Sequence, residues 1–359
     1  MEEGLSFSEA IVKNGYELAF KSAKKVSSGK NAKNKEAYVF NQDLVYNVGL
    51  LINEVLNRRY EVSKYSNFKV YDPKEREIYA PSHRDKVLQI MLNEYLKPFM
   101  KKTFIPNSYA SIEDKGTEKA VKKIQYNMRC AKRKWYNPYT LKIDIRKFFY
   151  TIDRDVLKRI FKKHIPDELV LFLLNKITDS AEVVGERGLP LGNTISQFSA
   201  NLYLNELDKE LKRKFSLKYY VRYMDDIFIQ VESKEKAREI LNYANEFVNE
   251  KLHLELNKNK SIYFPATECI SGLGFKIYTT HLELSKRSKK SLNKIIREPD
   301  LDIFEQRFCS WAGIALSAEC YSYIEDRIKN TKIDEEMRVI KRDIICRCIE
   351  KILITKGRI

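Results

Sequence analysis

The chain has 359 residues, of which 43% are hydrophobic, so it is long enough for two or three subdomains with a substantial core. This composition excludes an intrinsically disordered chain. Lys and Arg total 66 against 49 Asp and Glu, which gives a formal net charge of +17. So basic a surface attracts polyanions, and nucleic acid is the first candidate partner. A basic composition that binds no ligand is the alternative.

The cysteines and the N-terminus suggest an intracellular setting. Six cysteines form no CxxC pair and accompany only four histidines, so the sequence predicts neither a zinc finger nor a disulfide framework. The chain begins with acidic residues, lacks an apolar secretory core, and has no apolar run near the ~20 residues that a membrane helix requires. We therefore expect a soluble cytoplasmic protein without a membrane partner.

The first hundred residues alternate between helical and extended patterns. Residues 1–66 have helical periodicity, interrupted at Lys21–Lys35 by a polar, basic segment that predicts a loop, which is either a solvated linker or an RNA contact. From Asn67 a strand pattern begins, with a turn at Pro73. An apolar stripe over Asp85–Met100 predicts an amphipathic helix.

A second series of elements follows. Alternation over Thr140–Ile145 predicts a strand that carries Asp144, and helical stretches follow. The glycine-rich run 185–192 breaks the chain before a helix through Leu211 that Asn193 or Thr194 can cap. Two strands then meet within Tyr219–Val231, followed by a helix near 234–252 and further strands to 278. The pattern of the last eighty or so residues predicts helices.

Two neighbouring carboxylates, Asp225 and Asp226, lie at or beside the turn of the predicted hairpin. They repel each other unless a cation binds beside them, although an ordinary polar turn is the alternative. Asp144 lies about eighty residues upstream at the end of another predicted strand. If the two strand ends lie side by side, three aspartates suffice for two magnesium ions that run an in-line displacement.

The order of these motifs resembles that of the reverse transcriptases over Lys69–Tyr278. The matching segments are Asp144 with Phe148 and Phe149, GLPLGNTISQ at 188–197, YMDD at 223–226, LNKNKS at 256–261 and GLGFKIY at 272–278. The resemblance implies an α+β right-hand polymerase with fingers, a palm of a small antiparallel sheet plus helices, and a helical thumb. It divides the chain into an N-terminal helical extension at 1–66, fingers at 67–138 and 155–188, palm at 139–154 and 189–281, and thumb at 282–359.

The same resemblance assigns roles to individual residues. The residues implied in catalysis are Asp144, Asp225, Asp226 and Lys260. Two Mg²⁺ ions, which Mn²⁺ can replace, would be bound by Asp144, Ile145, Asp225 and Asp226. Nucleotide binding falls to Lys74, Arg76, Phe149, Leu191, Gly192 and Gln197. Nucleic-acid binding falls to Tyr223, Met224, Gly274, Phe275, Lys286, Arg287 and Lys290.

Three of these roles have structural alternatives. A ring at Phe149 would exclude a 2′-hydroxyl, so that the product is DNA, or it is a core aromatic. Lys74 and Arg76 would bind the triphosphate, or they form a salt-bridged surface turn. Lys260 would protonate the leaving pyrophosphate, or it is a solvated lysine.

Within the family, the run Leu191–Gln197 resembles the second palm motif of reverse transcriptases from diversity-generating retroelements. Segments 108–111, 115–117 and 310–313 resemble the same subgroup. This similarity implies error-prone copying of a template RNA into cDNA from a primer and dNTPs, with an accessory protein or non-coding RNA as partner. The alternatives are a reverse transcriptase of a bacterial antiphage defence system, of the retron-like or abortive-infection type, that synthesises DNA from a non-coding RNA, and a non-catalytic RNA-binding protein.

Two basic segments complete the sequence pattern. Lys and Arg crowd residues 286–297, and a helix there suits a duplex backbone, although an exposed basic face without a ligand is the alternative. Residues 119–135 interleave Lys and Arg with Tyr126 and Trp135. These aromatic rings either stack on template bases or pack in the core.

Overall fold

The fold is taken from a computed structural model that describes residues 5–27, 35–70 and 75–356, apart from the side chains of 182 and 183. The helices are α1 (Phe7–Val26), α2 (Lys35–Gln42), α3 (Leu44–Leu56), α4 (His83–Thr103), α5 (Thr117–Lys134), α6 (Phe148–Thr151), α7 (Arg154–His164), α8 (Glu168–Asp179), α9 (Thr194–Phe215), α10 (Lys234–Glu250), α11 (Lys286–Ile296), α12 (Leu301–Ala315), α13 (Tyr321–Asn330) and α14 (Glu335–Thr355). Short 3₁₀ helices cover Ser180–Val184 and Leu316–Ala318. The strands are β1 (Ser66–Val70), β2 (Arg76–Ala80), β3 (Tyr139–Ile143), β4 (Tyr220–Tyr223), β5 (Asp226–Val231), β6 (Ile262–Pro265), β7 (Ile270–Gly272), β8 (Phe275–Ile277) and β9 (Leu282–Leu284).

The chain divides into two compact units. Unit 1 comprises Met1–Asp114, Ile143–Lys218 and Glu239–Ile262, and unit 2 comprises Lys115–Lys142, Tyr219–Arg238 and Tyr263–Ile359. Helices and small antiparallel sheets occur together, which confirms the predicted α+β class.

Buried polar groups tie the helices of unit 1 to the segments between them. Asp85, fully buried at the start of α4, accepts hydrogen bonds from the Tyr60 hydroxyl and the Ser63 N–H, both at 2.8 Å. These bonds anchor the segment that follows α3 to α4. Burial raises the pKa of Tyr60, and the charge of Asp85 raises it further, so the phenol remains a hydrogen-bond donor.

Helix α9 is the central helix of unit 1. Its N-cap is Asn193, whose side chain accepts from the N–H groups of Ile195 and Ser196. Two buried amides farther along the helix hold the segment after α4: Asn201 donates to the carbonyl of Ala110 at 2.9 Å, and Asn205 accepts from the N–H of Ile105 at 3.2 Å. An irregular segment thereby gains partners for its buried backbone groups.

Unit 2 contains two antiparallel arrangements of strands. One sheet has the order β4–β5–β3–β6, with only the end residues Ile143 and Ile262 assigned to unit 1, and the other has the order β7–β8–β9. The strands β4 and β5 are largely buried, and seven of their ten residues are apolar or aromatic. Helix α5 packs against both of them.

The C-terminal part of unit 2 is helical, as predicted. Helices α12 and α14 lie side by side, and Cys309 and Cys348 form a disulfide between them with a Cα–Cα distance of 5.6 Å. The fully buried Lys341 of α14 donates to the carbonyls of Ile296 and Glu298 at 2.7 and 2.6 Å, and so binds the C-terminal end of α11. Burial lowers the pKa of Lys341.

Most predicted elements are confirmed, and two expectations are wrong. The predicted loop at Lys21–Lys35 begins too early, because α1 continues to Val26, where its apolar side still packs in the core; residues 28–34 lie outside the described part of the chain. The cysteine pattern gave no sign of the Cys309–Cys348 bond, because two helices bring together residues that are 39 positions apart. None of the helices in the described ranges combines the length and the hydropathy that a bilayer crossing demands.

Candidate active site

The hairpin of β4 and β5 presents the paired carboxylates at its tip. Tyr223 and Asp226 form the last strand pair, which leaves Met224 and Asp225 as a two-residue turn. Met224 has a φ of 53°, and Asp225 is not among the residues with positive φ. A positive φ is uncommon for a residue other than glycine, so this methionine carries backbone strain.

Buried contacts hold this strained turn in place. Arg222, which is fully buried, donates from Nη1 to the carbonyl of Met224 at 3.2 Å. Thr117, at the start of α5, donates from Oγ1 to the Tyr223 hydroxyl at 2.9 Å. Burial lowers the pKa of Lys115, and the positive charge of Arg222 lowers it further. The carboxylates of this hairpin are therefore carried by a fixed backbone.

Lys142 provides a cation beside the hairpin. Its Nζ lies 3.4 Å from Asp226 Oδ1, in a partly buried environment. The same ammonium donates to the carbonyl of Ser271 at 3.0 Å and lies 5.4 Å from the centre of the Phe228 ring. A positive charge on Lys142 therefore offsets the negative charge of Asp226.

Asp144 lies in unit 1, where it is only 4% exposed. Its carboxylate accepts from Lys260 Nζ at 2.8 Å through Oδ2. The backbone is held as well, since the N–H of Asp144 donates to Ser261 Oγ at 3.1 Å and its carbonyl accepts from the N–H of Asn257 at 2.8 Å. The neighbouring Ile145 is buried and bridges to Leu256, so its backbone is the part of this residue that could serve a cation.

Asp144 in unit 1 and Asp226 in unit 2 are each paired with a lysine. Asp144 and Asp226 each have a lysine ammonium within ion-pair distance, at 2.8 and 3.4 Å. A buried or half-buried carboxylate without such a counter-charge would be costly, and a divalent ion bound to its oxygens supplies the same compensation. Each of these two carboxylates thus has a positive charge beside it, and carboxylate oxygens are ligands that suit Mg²⁺ or Mn²⁺.

The glycine-rich loop of unit 1 is bound to the short helix that carries Phe149. The N–H of Leu189 donates to the carbonyl of Phe149 at 2.7 Å, and the N–H of Gly188 donates to the carbonyl of Ile152 at 2.8 Å. Phe149 itself is half-buried, with its ring 5.7 Å from that of Phe148. The loop and the aromatic residue therefore form one local unit.

Strand β2 joins the same loop. The N–H of Tyr79 donates to the carbonyl of Leu191 at 2.8 Å, and a side chain at Gly192 would come within 2.8 Å of Ile78. Arg76 begins this strand and is exposed. Gln197, exposed on α9, accepts from Ser111 Oγ at 2.9 Å. The predicted nucleotide residues other than Lys74 thus belong to connected segments of unit 1, while Lys74 lies outside the described residues.

The close contact at Gly188 leads to a prediction. Gly188 has a φ of 94°, and an added Cβ would lie 2.9 Å from backbone atoms of Phe149 and Tyr150. We expect Gly188→Ala to lower the free energy of unfolding by about 3 kcal/mol and to impair nucleotide use, because both strain and clash arise. Urea unfolding measures the loss.

Gly185→Ala is the matched control for this substitution. Gly185 also has a positive φ, 110°, but an added Cβ would meet nothing within 4 Å. Its cost should be the conformational part alone, about 1 kcal/mol. Equal losses for the two variants would show that contact with Phe149 and Tyr150 does not matter.

The remaining predicted residues lie in unit 2. Gly274, with a φ of 88°, occupies the exposed turn between β7 and β8, and its carbonyl accepts from the N–H of Ser285 at 3.0 Å. The side chain of Phe275 is 1% exposed, so this ring is a core residue and only its backbone could meet a nucleic acid. Lys286, Arg287 and Lys290 are exposed on α11.

Several residues that shape the site escaped the sequence analysis. Lys142 and Ser261 contact the predicted aspartates, and Arg222 holds the turn. A signal for Lys142 was available: it precedes Asp144 by two positions, and such residues share a face of a strand. Nothing in the sequence marks Arg222, because burial and a carbonyl partner are tertiary features.

Comparison with known proteins identifies the family of this chain. A family model described as reverse transcriptase (RNA-dependent DNA polymerase) matches residues 69–277, more than half of the chain. The chain therefore belongs to the reverse transcriptase family, as the motifs predicted.

Individual relatives are distant. The chain is 22% identical over 354 residues to the group II intron-encoded protein LtrA of Lactococcus lactis, covering 80% of this chain and 54% of LtrA. It is 25% identical over 229 residues to the COX1/OXI3 intron 2 protein of Saccharomyces cerevisiae, covering 46% of this chain and 27% of that protein. The chain thus spans about half of LtrA and about a quarter of the yeast protein.

A solved structure shows the same fold. Apo telomerase from Candida tropicalis superimposes with a TM-score of 0.52 at 9% sequence identity, covering 82% of this chain and 57% of the telomerase chain. At this identity the likeness concerns the fold alone. It confirms the predicted right-hand polymerase class at that level.

Proposed function

We propose that this chain is an RNA-directed DNA polymerase that copies a template RNA into cDNA, with Asp144, Asp225 and Asp226 as its catalytic carboxylates. The observation that carries the proposal is the order of the sheet. β5, which begins at Asp226, is the neighbour of β3, and β3 leads directly into Asp144. This order supports the proposal, because the two neighbouring strands are the ones that begin at or lead into proposed catalytic aspartates.

Polymerases of this family generally use divalent metal ions. We propose two Mg²⁺ ions, held by the three aspartates and the backbone of Ile145. Bound there, they would lower the pKa of the primer 3′-hydroxyl and neutralise the triphosphate as pyrophosphate leaves. Lys142 and Lys260 already pair with two of these carboxylates, which supports a site that requires positive charge.

Other side chains of the protein would position the substrates. Arg76 is exposed on β2 and would donate to the phosphates of the dNTP. Lys260, which pairs with Asp144, would offer a proton to the leaving pyrophosphate. The half-buried Phe149 would lie beneath the sugar and exclude a 2′-hydroxyl. The basic α11 would bind the backbone of the template–primer duplex, which gives affinity without sequence preference.

The direct test is primer extension on an RNA template with dNTPs and Mg²⁺. We expect a product that DNase degrades and that alkali leaves intact. EDTA should abolish its synthesis. RNA binding without extension under any divalent metal would favour a non-catalytic RNA-binding protein instead.

The finer proposal is an error-prone enzyme of a diversity-generating retroelement. The support comes from position 191, where the carbonyl is engaged by Tyr79 and the half-exposed side chain is apolar. A leucine offers the incoming nucleotide no hydrogen bond, so a misaligned base pair loses little at this position. An accessory protein or a non-coding RNA would complete such a system.

We expect Leu191→Gln to reduce misincorporation opposite template adenine several-fold, because an amide can bond a correctly placed nucleotide. Sequencing of cDNA made in vitro by the two enzymes measures the error spectrum. Leu191→Met is the control, since it keeps an apolar side chain of similar size. Identical error spectra for the parent and Leu191→Gln would remove this support.

The biological setting separates this proposal from antiphage defence, which uses the same chemistry. A template repeat and a variable target gene beside the coding sequence would favour diversification. A defence locus would favour a polymerase that makes DNA from a non-coding RNA.

A further inference from the structure

Helix α5 of unit 2 has two sides of very different chemistry. Its inner side is apolar and buried against β4 and β5, through residues such as Val121, Ile124 and Met128. Two polar contacts fix its position: Gln125 Nε2 donates to the carbonyls of Tyr278 and His281 at 2.9 and 3.2 Å. The helix is thus fixed to the strands, and its other side points away from the sheet that carries Asp225 and Asp226.

The outer side is a basic stripe with one aromatic residue at its centre. At 100° per residue, positions 119, 122, 126, 129 and 133 fall within about 80° of one another on the helix surface. The outer stripe therefore consists of Lys119, Lys122, Tyr126, Arg129 and Arg133, and each of these residues is exposed. It extends over roughly 21 Å.

The charge of this stripe has one sign. Residues 117–134 contain one acidic side chain, Glu118, against seven lysines and arginines. Glu118 is itself shared between Lys122 at 2.9 Å and Lys356 at 2.8 Å. Partial burial favours protonation of Glu118, but its hydrogen bonds with the two lysines outweigh this effect and lower its pKa to about 2. The negative charge of Glu118 is thus already compensated.

The two aromatic residues of this segment, which the sequence left open, take different roles. Trp135 packs edge-on against Tyr219, with ring centres 5.4 Å apart, and belongs to the packed part of unit 2. Tyr126 is 54% exposed in the middle of the stripe, with Lys123 Nζ 4.5 Å from its ring centre. An exposed ring flanked by cations is the arrangement on which proteins stack single-stranded bases.

We propose that the outer stripe of α5 is a second RNA-binding surface, which holds a single-stranded segment of the RNA away from the catalytic carboxylates. Charge complementarity favours a polyanion, and the exposed Tyr126 favours unpaired bases over an acidic protein. The choice of single-stranded RNA over single-stranded DNA as the ligand rests on the proposed function, in which the template is RNA. The surface would retain the template strand outside the site of synthesis.

The experiment compares two triple variants of equal charge. Lys119→Ala, Lys122→Ala and Arg133→Ala together remove three cations from the stripe. Lys209→Ala, Lys234→Ala and Arg238→Ala together remove three exposed cations that each neighbour a glutamate in sequence. Binding of a fluorescent oligouridine of about 20 nucleotides is measured by anisotropy at several salt concentrations. Circular dichroism verifies that both variants fold like the parent.

We expect the stripe variant to bind the RNA at least about tenfold more weakly near 150 mM salt, with a salt slope lower by about 2, because three phosphate contacts are lost. The control variant should bind like the parent. Tyr126→Ala should weaken binding about fivefold or more, and Tyr126→Phe should not, because stacking needs the ring and not the hydroxyl. Extension of a saturating short template–primer should be unchanged in all of these variants.

Equal RNA binding by the stripe and control variants would overturn the inference and leave the surface to an acidic protein partner. A loss confined to single-stranded DNA of the same length would overturn it as well. The outcome is separable from the proposed function, because RNA binding is read without dNTPs. A parent that cannot extend a primer but loses RNA affinity with the stripe would refute the polymerase and retain the surface.

Discussion

Asp225→Asn is expected to reduce primer extension on an RNA template by about 10³-fold or more, with the fold and the RNA affinity retained. The substitution keeps the size of the side chain and removes its charge. A bound divalent ion stabilises transition-state charge by several kcal/mol, and each 1.36 kcal/mol changes a rate tenfold. Single-turnover extension at saturating template–primer isolates this loss from any change in binding.

Two further measurements make this test specific. Asp343→Asn removes one carboxylate from an exposed ion pair with Arg347 in the same unit, and should leave extension unchanged. Titration with Mn²⁺, followed by calorimetry, should show weaker metal binding for Asp225→Asn and parental binding for Asp343→Asn. If Asp225→Asn extends primers at the parental rate, the carboxylate pair is not the metal site and the proposed mechanism fails.

Phe149→Ala is expected to have the second largest effect, on the choice of sugar. Removal of a half-buried ring opens space for a 2′-hydroxyl, so the preference for dNTPs over rNTPs should fall by on the order of 10²-fold. The measurement is the ratio of kcat/KM for dGTP and GTP on one template–primer. The change in this ratio should come from a rise in GTP incorporation and not from a general loss of activity.

The adjacent aromatic residue supplies the control. Tyr150 is 43% exposed on the same short helix, and Tyr150→Ala should leave the dNTP preference as it is. An unchanged preference in Phe149→Ala, together with normal extension, would show that Phe149 is an ordinary packing residue. If both alanine variants lose stability, that loss reflects damage to α6 and not the choice of sugar. Thermal unfolding of both variants is therefore measured together with the kinetics.

Two of the proposed catalytic aspartates are each paired with a lysine. Lys260 pairs with Asp144 in unit 1, and Lys142 pairs with Asp226 in unit 2. Each ammonium lies on the far end of a flexible side chain, so it could move aside if a divalent ion bound to the carboxylate, as the proposed function requires. The two lysines thus compensate the negative charge of these carboxylates in the structure.

Local sequence signals anticipated much of the fold. Apolar periodicity located α4, α10 and the C-terminal helices, and alternation located β3 and the hairpin of β4 and β5. Asn193 was predicted as a candidate cap and is the N-cap of α9. Such features depend on neighbours within a few residues, so the sequence itself reports them. The start of the loop after α1 was misjudged because its lysines are compatible with a solvated helix face.

By itself, the sequence determined the family, through the order of its motifs. It also determined which acidic residues are the candidates for catalysis. Only the tertiary structure decided which groups surround them: the lysine on each of two aspartates, the buried Arg222 under a strained Met224, and the contact of Gly188 with the helix of Phe149. It also decided between the two aromatic residues near α5, with Trp135 packed and Tyr126 exposed. Each motif consists of residues that are neighbours in the sequence, whereas charge compensation and burial arise between segments that are distant in the chain.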